Sequence, residues 1–286
     1  MYGGGALVIR EVTRRTGRGW PTVLLLALAY GLFEEGIATQ SLFNPDYAGA
    51  HLLDQGFVPA LGIAVPWTLY VLALHTVWSI TVPIALVEEA SSRRTTPWLR
   101  TPGLVVASVL LAVGAFGTTM ASYGMDSYVA PWPKLATVLV LVALLVVAAF
   151  LVPARPRTPG AVPGPWAVLA VTLAGGALFM SAKWLPDRAG VPAMLAAFVL
   201  VTEAILRWSR RDGWAGRHRL AAAAGGLLTY AWHSFTTQPL AGGGAVVTPV
   251  SHAFFALCAV VLLVWEARRV ARAGDARQDG IRAERS

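Results

Sequence analysis

The chain of 286 residues is 56% hydrophobic and only 13% charged, about half the charged share of an ordinary soluble domain. That composition excludes a water-soluble globular fold, and it excludes intrinsic disorder, since a disordered chain is poor in apolar residues. A lone cysteine, Cys258, excludes a disulfide scaffold, and the net charge of +8 acquires meaning only from where the basic residues sit.

Ahead of any long apolar run, Leu7, Val8 and Ile9 precede Arg10, Arg14, Arg15 and Arg18, the reverse of signal-peptide order. Two readings are open for this stretch: an interfacial helix or the tail of an earlier span. A helix rising 1.5 Å per residue needs about 20 apolar residues to cross roughly 30 Å of hydrocarbon. Eight runs approach or meet that length: Pro21–Leu42, Leu61–Val87, Pro102–Ser122, Leu135–Leu151, Trp166–Ala182, Val191–Trp208, Leu220–Thr236 and Val246–Ala267. Most are apolar all round, without the charged face of a surface helix, and backbone groups in lipid must bond internally. The expected fold class is therefore all-α, a polytopic integral membrane bundle. One domain is expected over residues 1–270, followed by a charged tail at 271–286.

The basic residues fix the orientation. One set of segments carries Arg10, Arg14, Arg15 and Arg18, then Arg93, Arg94 and Arg100, then Arg155 and Arg157. It continues with Arg207, Arg210, Arg211, Arg217 and Arg219, and ends with Arg268, Arg269, Arg272, Arg277, Arg282 and Arg285. The alternate connections hold only Lys134, Lys183 and Arg188. Twenty against three, alternating without exception, places both termini in the cytoplasm of a multi-pass protein of the cell membrane. The same dispersal argues against nucleic-acid binding, because arginines at helix ends serve topology and anionic lipid headgroups. Arginine outnumbers lysine 21 to 2, which points to a GC-rich bacterial genome. The lipid bilayer is the first expected partner.

Ionisable groups inside spans are costly in lipid and mark functional sites by default. Glu34 and Glu35 lie 13 and 14 residues past Pro21, roughly 20 Å in. His75, His233 and His252 fall at central to outer depths of their own runs. Gly31, Glu35 and Thr39 share a helical face, with Glu34 about 100° away, so a regular helix would not aim both carboxylates at one point. Ser79 lies one turn beyond His75, with Trp67 and Trp78 nearby, and Thr229, His233 and Thr237 share a face. Glu203 lies toward the basic side and is expected to pair with Arg207 at i+4. Glu88 and Glu89 read as a solvated helix end with Arg93 and Arg94 as partners.

Three chemistries fit the buried set. Glu35 with His75, His233 and His252 could ligate a divalent metal such as zinc, leaving a position for water. Without metal, Glu34 or Glu35 could serve as a general base on water, with His75 and His233 completing the site. Alternatively each group only bonds across helices. Pro66 and Pro83 bracket His75 and are expected to kink its helix. Gly175-Gly176 and Gly225-Gly226 are expected to let helices approach closely.

The stretch Gly31-Leu-Phe-Glu34-Glu35-Gly-Ile-Ala-Thr39, with a later intramembrane His75 and a late His233 or His252, resembles the CPBP/Abi family of intramembrane proteases, which includes the type II CAAX prenyl endopeptidases. That family's pattern is Glu-Glu-x-x-x-Arg, then Phe-x-x-x-His, then His-x-x-x-Asn or Asp. The resemblance implies an all-α membrane fold and a peptidase-like hydrolase acting on a membrane peptide or lipidic substrate. It implies Glu34 or Glu35 as base, with His75 and His233 or His252 beside it. Thr39 stands in place of the family arginine and Val71 in place of the phenylalanine. Thr237 and Ala256 follow the histidines where Asn or Asp is expected. A transporter using the same groups for proton or cation coupling is the alternative reading, and a catalytically silent interaction protein is a third.

Overall fold

A computed structural model describes residues 1–153, 156–237 and 243–283, with side chains described to Arg272. Arg155 and Arg285, counted above for topology, lie outside the described residues, as do the side chains of Arg277 and Arg282. Ten α-helices follow in order: α1 Tyr2–Arg15, α2 Trp20–Phe33, α3 Val65–Ala73, α4 Val82–Glu89, α5 Thr101–Asp126, α6 Trp132–Leu151, α7 Pro165–Ser181, α8 Asp187–Ser209, α9 Gly216–His233 and α10 Val247–Ala283. Two π-helical stretches interrupt this series, Glu34–Ala38 continuing α2 and Leu74–Thr81 joining α3 to α4. The described strands are β1 Phe57–Val58 and β2 Ile63–Ala64, paired antiparallel in the connection between the first two spans. The fold is the expected all-α membrane bundle.

Among the described residues, seven helical stretches are long and apolar enough to cross a membrane: Trp20–Ala38, Val65–Glu89, Thr101–Asp126, Trp132–Leu151, Pro165–Trp184, Asp187–Ser209 and Val247–Arg272. The expected span at Leu220–Thr236 forms helix α9 but is not among them. It opens on Arg217-His218-Arg219, followed after Leu220 by the alanine–glycine run of residues 221–226. Those small residues serve packing rather than lipid contact.

By internal packing the chain divides into two compact units. The first comprises Met1–Ile84, Thr95–Arg155 and Leu178–Phe198; the second comprises Ala85–Arg94, Pro156–Ala177 and Val199–Ser286.

In the first unit α2 packs on α6 and on the Leu74–Thr81 π-helix, and α1 packs along α5. Thr22 Oγ1 donates to Ala149 O (2.9 Å) between α2 and α6. Ala6, Ile9, Val23, Leu26, Ala27, Tyr30, Ile80, Ile84 and Ala149 form one apolar cluster; Leu42, Phe43, Val71, Ala130 and Val138 form another. Helix α1 buries charged residues against the rest of the unit, for Arg10 and Glu11 are 1% and 0% exposed. Arg10 Nη1 donates to Glu11 Oε1 (2.5 Å), its Nη2 donates to Thr96 O (2.8 Å), and its guanidinium stacks 3.4 Å over the Trp98 ring. Glu11 accepts from the backbone N–H of Trp98 (2.9 Å) and of Leu99 (3.2 Å). A charged pair can be buried when hydrogen bonds saturate it in this way.

In the second unit α7, α8 and α9 meet through glycines. A Cβ on Gly225 would lie 2.7 Å from Thr172 Cβ and 2.9 Å from Leu173 N, and one on Gly176 would lie 2.8 Å from Thr229 Cγ2. Small residues permit that approach between membrane helices, as the paired glycines had suggested. Gly175 meets Val201 of α8 in the same manner. Glu89 pairs with Arg94 (3.2 Å) and also with Arg219 of α9, a partner distant in sequence. Glu203 pairs with Arg207 at 2.5 Å on an exposed face, as its spacing required. His218 is 3% exposed, stacks on Trp214, and accepts from Ala215 N–H through Nδ1 (3.0 Å). Burial first, then the neighbouring Arg217 and Arg219, lower its pKa.

Three outcomes follow from this packing. Glu11→Gln leaves Arg10 buried without its counter-charge, and is expected to cost about 3 kcal/mol, read as a lowered thermal midpoint in detergent. Gly225→Val overpacks the α7–α9 contact and is expected to cost roughly 1–3 kcal/mol, whereas Gly124→Val, with open space around that glycine, should be near neutral. The unfolded chain protonates His218 before the folded chain does, so protonation favours unfolding. Stability is therefore expected to fall as pH drops below about 6.5, and a His218→Asn variant should lose that part of the pH dependence in midpoints recorded from pH 8 to 5.

Candidate functional site

Two helices of the first unit bring the site together. Gly31, one turn before Glu35, faces His75 so closely that a Cβ added there would lie 2.9 Å from His75 Cβ. Glycine at this position lets the two backbones approach and carries His75 up to the glutamates. Glu34, Glu35 and His75 are buried, at 1%, 6% and 3% exposure.

His75 lies between the two carboxylates. Its Nε2 is 2.7 Å from Glu35 Oε1, and its Nδ1 is 3.4 Å from Glu34 Oε2 and 3.3 Å from Ser79 Oγ. A regular helix would have turned Glu34 aside. The π-helical turn at Glu34–Ala38 has a wider repeat, and the two carboxylates reach opposite nitrogens of one ring instead of a single point. His75 also sits on a π-helix, Leu74–Thr81. Such turns are rare and concentrate at functional sites. Pro66 lies in the first turn of α3, where proline is tolerated, so it does not produce the expected kink. Pro83 follows the π-helix by two residues.

Glu35 is fixed from its other oxygen. Ser41 Oγ donates to Glu35 Oε2, and Thr39 Oγ1 lies 3.1 Å from the same atom. Trp67 Nε1 donates to Ser41 Oγ (3.2 Å). An indole N–H only donates, so Ser41 accepts from Trp67 and spends its one proton on Glu35. Gln40, between the two hydroxyl residues, adopts φ 58°, and its Oε1 accepts from Ala130 N–H (2.6 Å). That left-handed turn folds Ser41 back over Glu35, at a cost on the order of 1 kcal/mol for a non-glycine residue. Tyr30, one turn before Glu34, belongs to one apolar cluster, and Val71, one turn before His75, belongs to another. Tyr2 stacks on the His75 ring (5.6 Å between centroids, 9° between planes), and Tyr30 meets it edge-on at 6.4 Å.

Glu34, Glu35 and His75 thus come together, each offering a ligand atom within 4.8 Å of the others. His233 and His252 belong to the second unit and have neighbours there. His233 Nδ1 lies 3.0 Å from Thr236 Oγ1, and His252 meets the Phe235 ring edge at 5.5 Å. The face-sharing Thr229 and Thr237 donate to the backbone oxygens of Gly225 (2.7 Å) and Ser234 (3.1 Å) rather than to His233. Two ligands of a tetrahedral zinc at 2.0–2.2 Å stand roughly 3.4 Å apart. Glu34 Oε2 and His75 Nδ1 have that spacing, whereas Glu35 and His75 Nε2 stand at hydrogen-bond distance. Glu34 and His75 therefore have metal spacing through Nδ1, while Glu35 is held at hydrogen-bond distance by the other ring nitrogen.

Sequence reasoning passed over Tyr2, Ser41 and the role of Thr39. Thr39 carried a usable signal, being four residues past Glu35 on its face; Ser41 lies past the end of the helix, where no periodicity applies. The constellation reads as a hydrogen-bonded acid–base relay, Trp67 to Ser41 to Glu35 to His75, closed at its far end by Glu34 and Ser79.

No curated protein and no solved structure matches the chain. A family model matches residues 1–273, with seven apolar spans inside that range. The chain accordingly belongs to a family described as an uncharacterized membrane protein family, and it is a multi-pass membrane protein.

Proposed function

We propose that this protein is a membrane-embedded hydrolase, peptidase-like in reaction type, acting on a membrane peptide or lipidic substrate. The observation that carries the reading is the buried Glu35–His75 pair at 2.7 Å with Glu34 on the opposite ring nitrogen. With Glu35 Oε2 engaged by two hydroxyl groups, the proton on Nε2 faces Oε1, and Nδ1 is the basic nitrogen. A nucleophile beside Nδ1 delivers its proton there as the new bond to the carbonyl carbon forms. The leaving amine or alcohol takes the same proton as its bond to that carbon breaks. Glu34, 3.4 Å away, offsets the imidazolium charge between these steps.

The resemblance to the CPBP/Abi proteases supports this reading through Glu34, Glu35 and His75. The late histidine of that pattern has no counterpart among the first unit's site residues. Thr39, standing for the family arginine, anchors Glu35 as a hydroxyl instead. A zinc ion held by Glu35, His75, His233 and His252 receives no support from this geometry, so no step is routed through one. The transporter alternative needs a polar path to both faces of the membrane.

The test uses purified protein in vesicles with a panel of single-span peptides, and fragments are identified by mass spectrometry. Glu35→Gln and His75→Ala are each expected to lower cleavage by about 10²–10⁴-fold with thermal midpoints near that of the parent. Cleavage is expected to survive chelator treatment. Retained cleavage in both variants, or loss only in proportion to unfolding, would overturn the reading. Stoichiometric zinc in the purified protein, removed together with activity, would replace it with a metal mechanism.

A further inference from the structure

Within that hydrolase reading lies an unanswered question of access. Glu34, Glu35 and His75 are each at least nine-tenths buried, yet a reacting carbonyl must touch the group that attacks it. Ser79 is half-buried, lies one turn along from His75, and places Oγ 3.3 Å from His75 Nδ1. Glu35 holds the other nitrogen at 2.7 Å. Serine, imidazole and carboxylate thus stand in the order that activates a hydroxyl nucleophile, with the base itself oriented by a third group. The arrangement is recognised by geometry and role rather than by position in the chain. A nucleophile–base separation at the loose end of hydrogen bonding is usual before substrate binds.

We propose that Ser79 is a nucleophile that forms an acyl-enzyme, with His75 as its base and Glu35 as the residue that positions His75. This rests on the hydrolase reading and names its attacking group as a side chain rather than water. In the first half-reaction Ser79 Oγ bonds to the substrate carbonyl carbon and its proton passes to His75 Nδ1. The bond to the leaving amine or alcohol then breaks, and that group departs with the proton. In the second half, water bonds to the acyl carbon, His75 takes the water's proton, and the Oγ–carbon bond breaks as Ser79 recovers it. Oxidation states do not change, and the only co-reactant is water. The substrate class is therefore an ester or amide whose acyl carbon reaches the half-buried flank of the Leu74–Thr81 turn from within the bilayer. Glu34, on the same side of the ring as Ser79, does not bond to substrate in this scheme.

The reaction can be trapped without knowing the natural substrate. A fluorophosphonate bonds its phosphorus to an activated serine Oγ and releases fluoride, while the serine proton passes to the base. Full-length protein in vesicles would be treated with such a probe and digested, and the modified peptide would be identified by mass spectrometry. The expected result is modification of Ser79, absent in Ser79→Ala and slowed at least about 100-fold in His75→Ala and Glu35→Gln, with thermal midpoints recorded for each variant. Ser79→Cys should restore covalent capture by a thiol-reactive acyl-chloromethyl ketone in a His75-dependent manner. Labelling that is equally fast without His75 would overturn the proposal, since it would report mere exposure. Peptide cleavage that persists in Ser79→Ala would also overturn it while leaving the hydrolase reading intact, with water as nucleophile. Conversely, His75-dependent labelling of Ser79 without cleavage of any peptide would support the nucleophile and remove the peptidase assignment.

Discussion

A carboxylate–imidazole bond inside a membrane protein forms only where two backbones come close enough for short side chains to meet. Here that closeness is set by Gly31, whose missing side chain leaves room for His75 Cβ. Everything else in the first unit is arranged around the contact. The two π-helical turns redirect Glu34 and His75, and the left-handed Gln40 returns Ser41 to Glu35. A low-dielectric surrounding strengthens each polar contact and makes an unpaired group costly. The contacts of the relay are short and directional in such surroundings, and this gives the site its defined geometry.

The same rule governs the rest of the bundle. Arg10 and Glu11 are buried at 0–1% exposure because backbone groups of residues 96–99 complete their hydrogen bonds. This tethers α1 beside α5 and carries Tyr2 to the face of His75. In the second unit, charge is satisfied at the helix ends by Glu89, Arg94 and Arg219, while the helix bodies meet through Gly175, Gly176 and Gly225. Small residues occur where these helices must touch.

The span pattern was legible because it rests on local quantities. Apolar run length is read within one segment, and seven of the eight runs became helices able to cross a membrane. The exception, α9, shows the limit of that reading, since alanine and glycine count as apolar in a run but serve helix packing as readily as lipid contact. Glu34, Glu35 and His75 were visible as charges in apolar surroundings. Their meeting was not, because the order of helices in space is absent from periodicity. Likewise His233 and His252 looked equivalent to His75 by depth, yet depth does not tell which helices are neighbours. The partners each histidine has in its own unit are decided by packing.

Composition by itself determined that this is an all-α, multi-pass membrane protein, because hydrocarbon thickness and the cost of a charge in lipid act on each segment separately. It also marked the few ionisable groups worth watching. The tertiary structure decided which of them form a site and in what order. It joined Glu35, His75 and Ser79 through one imidazole ring, and it recruited Ser41 from outside any helical pattern and Trp67 from α3. The physical reason is that a hydrogen bond is fixed by directions and distances of a few ångströms, which depend on how helices approach and where their turns widen rather than on the residues of any one helix.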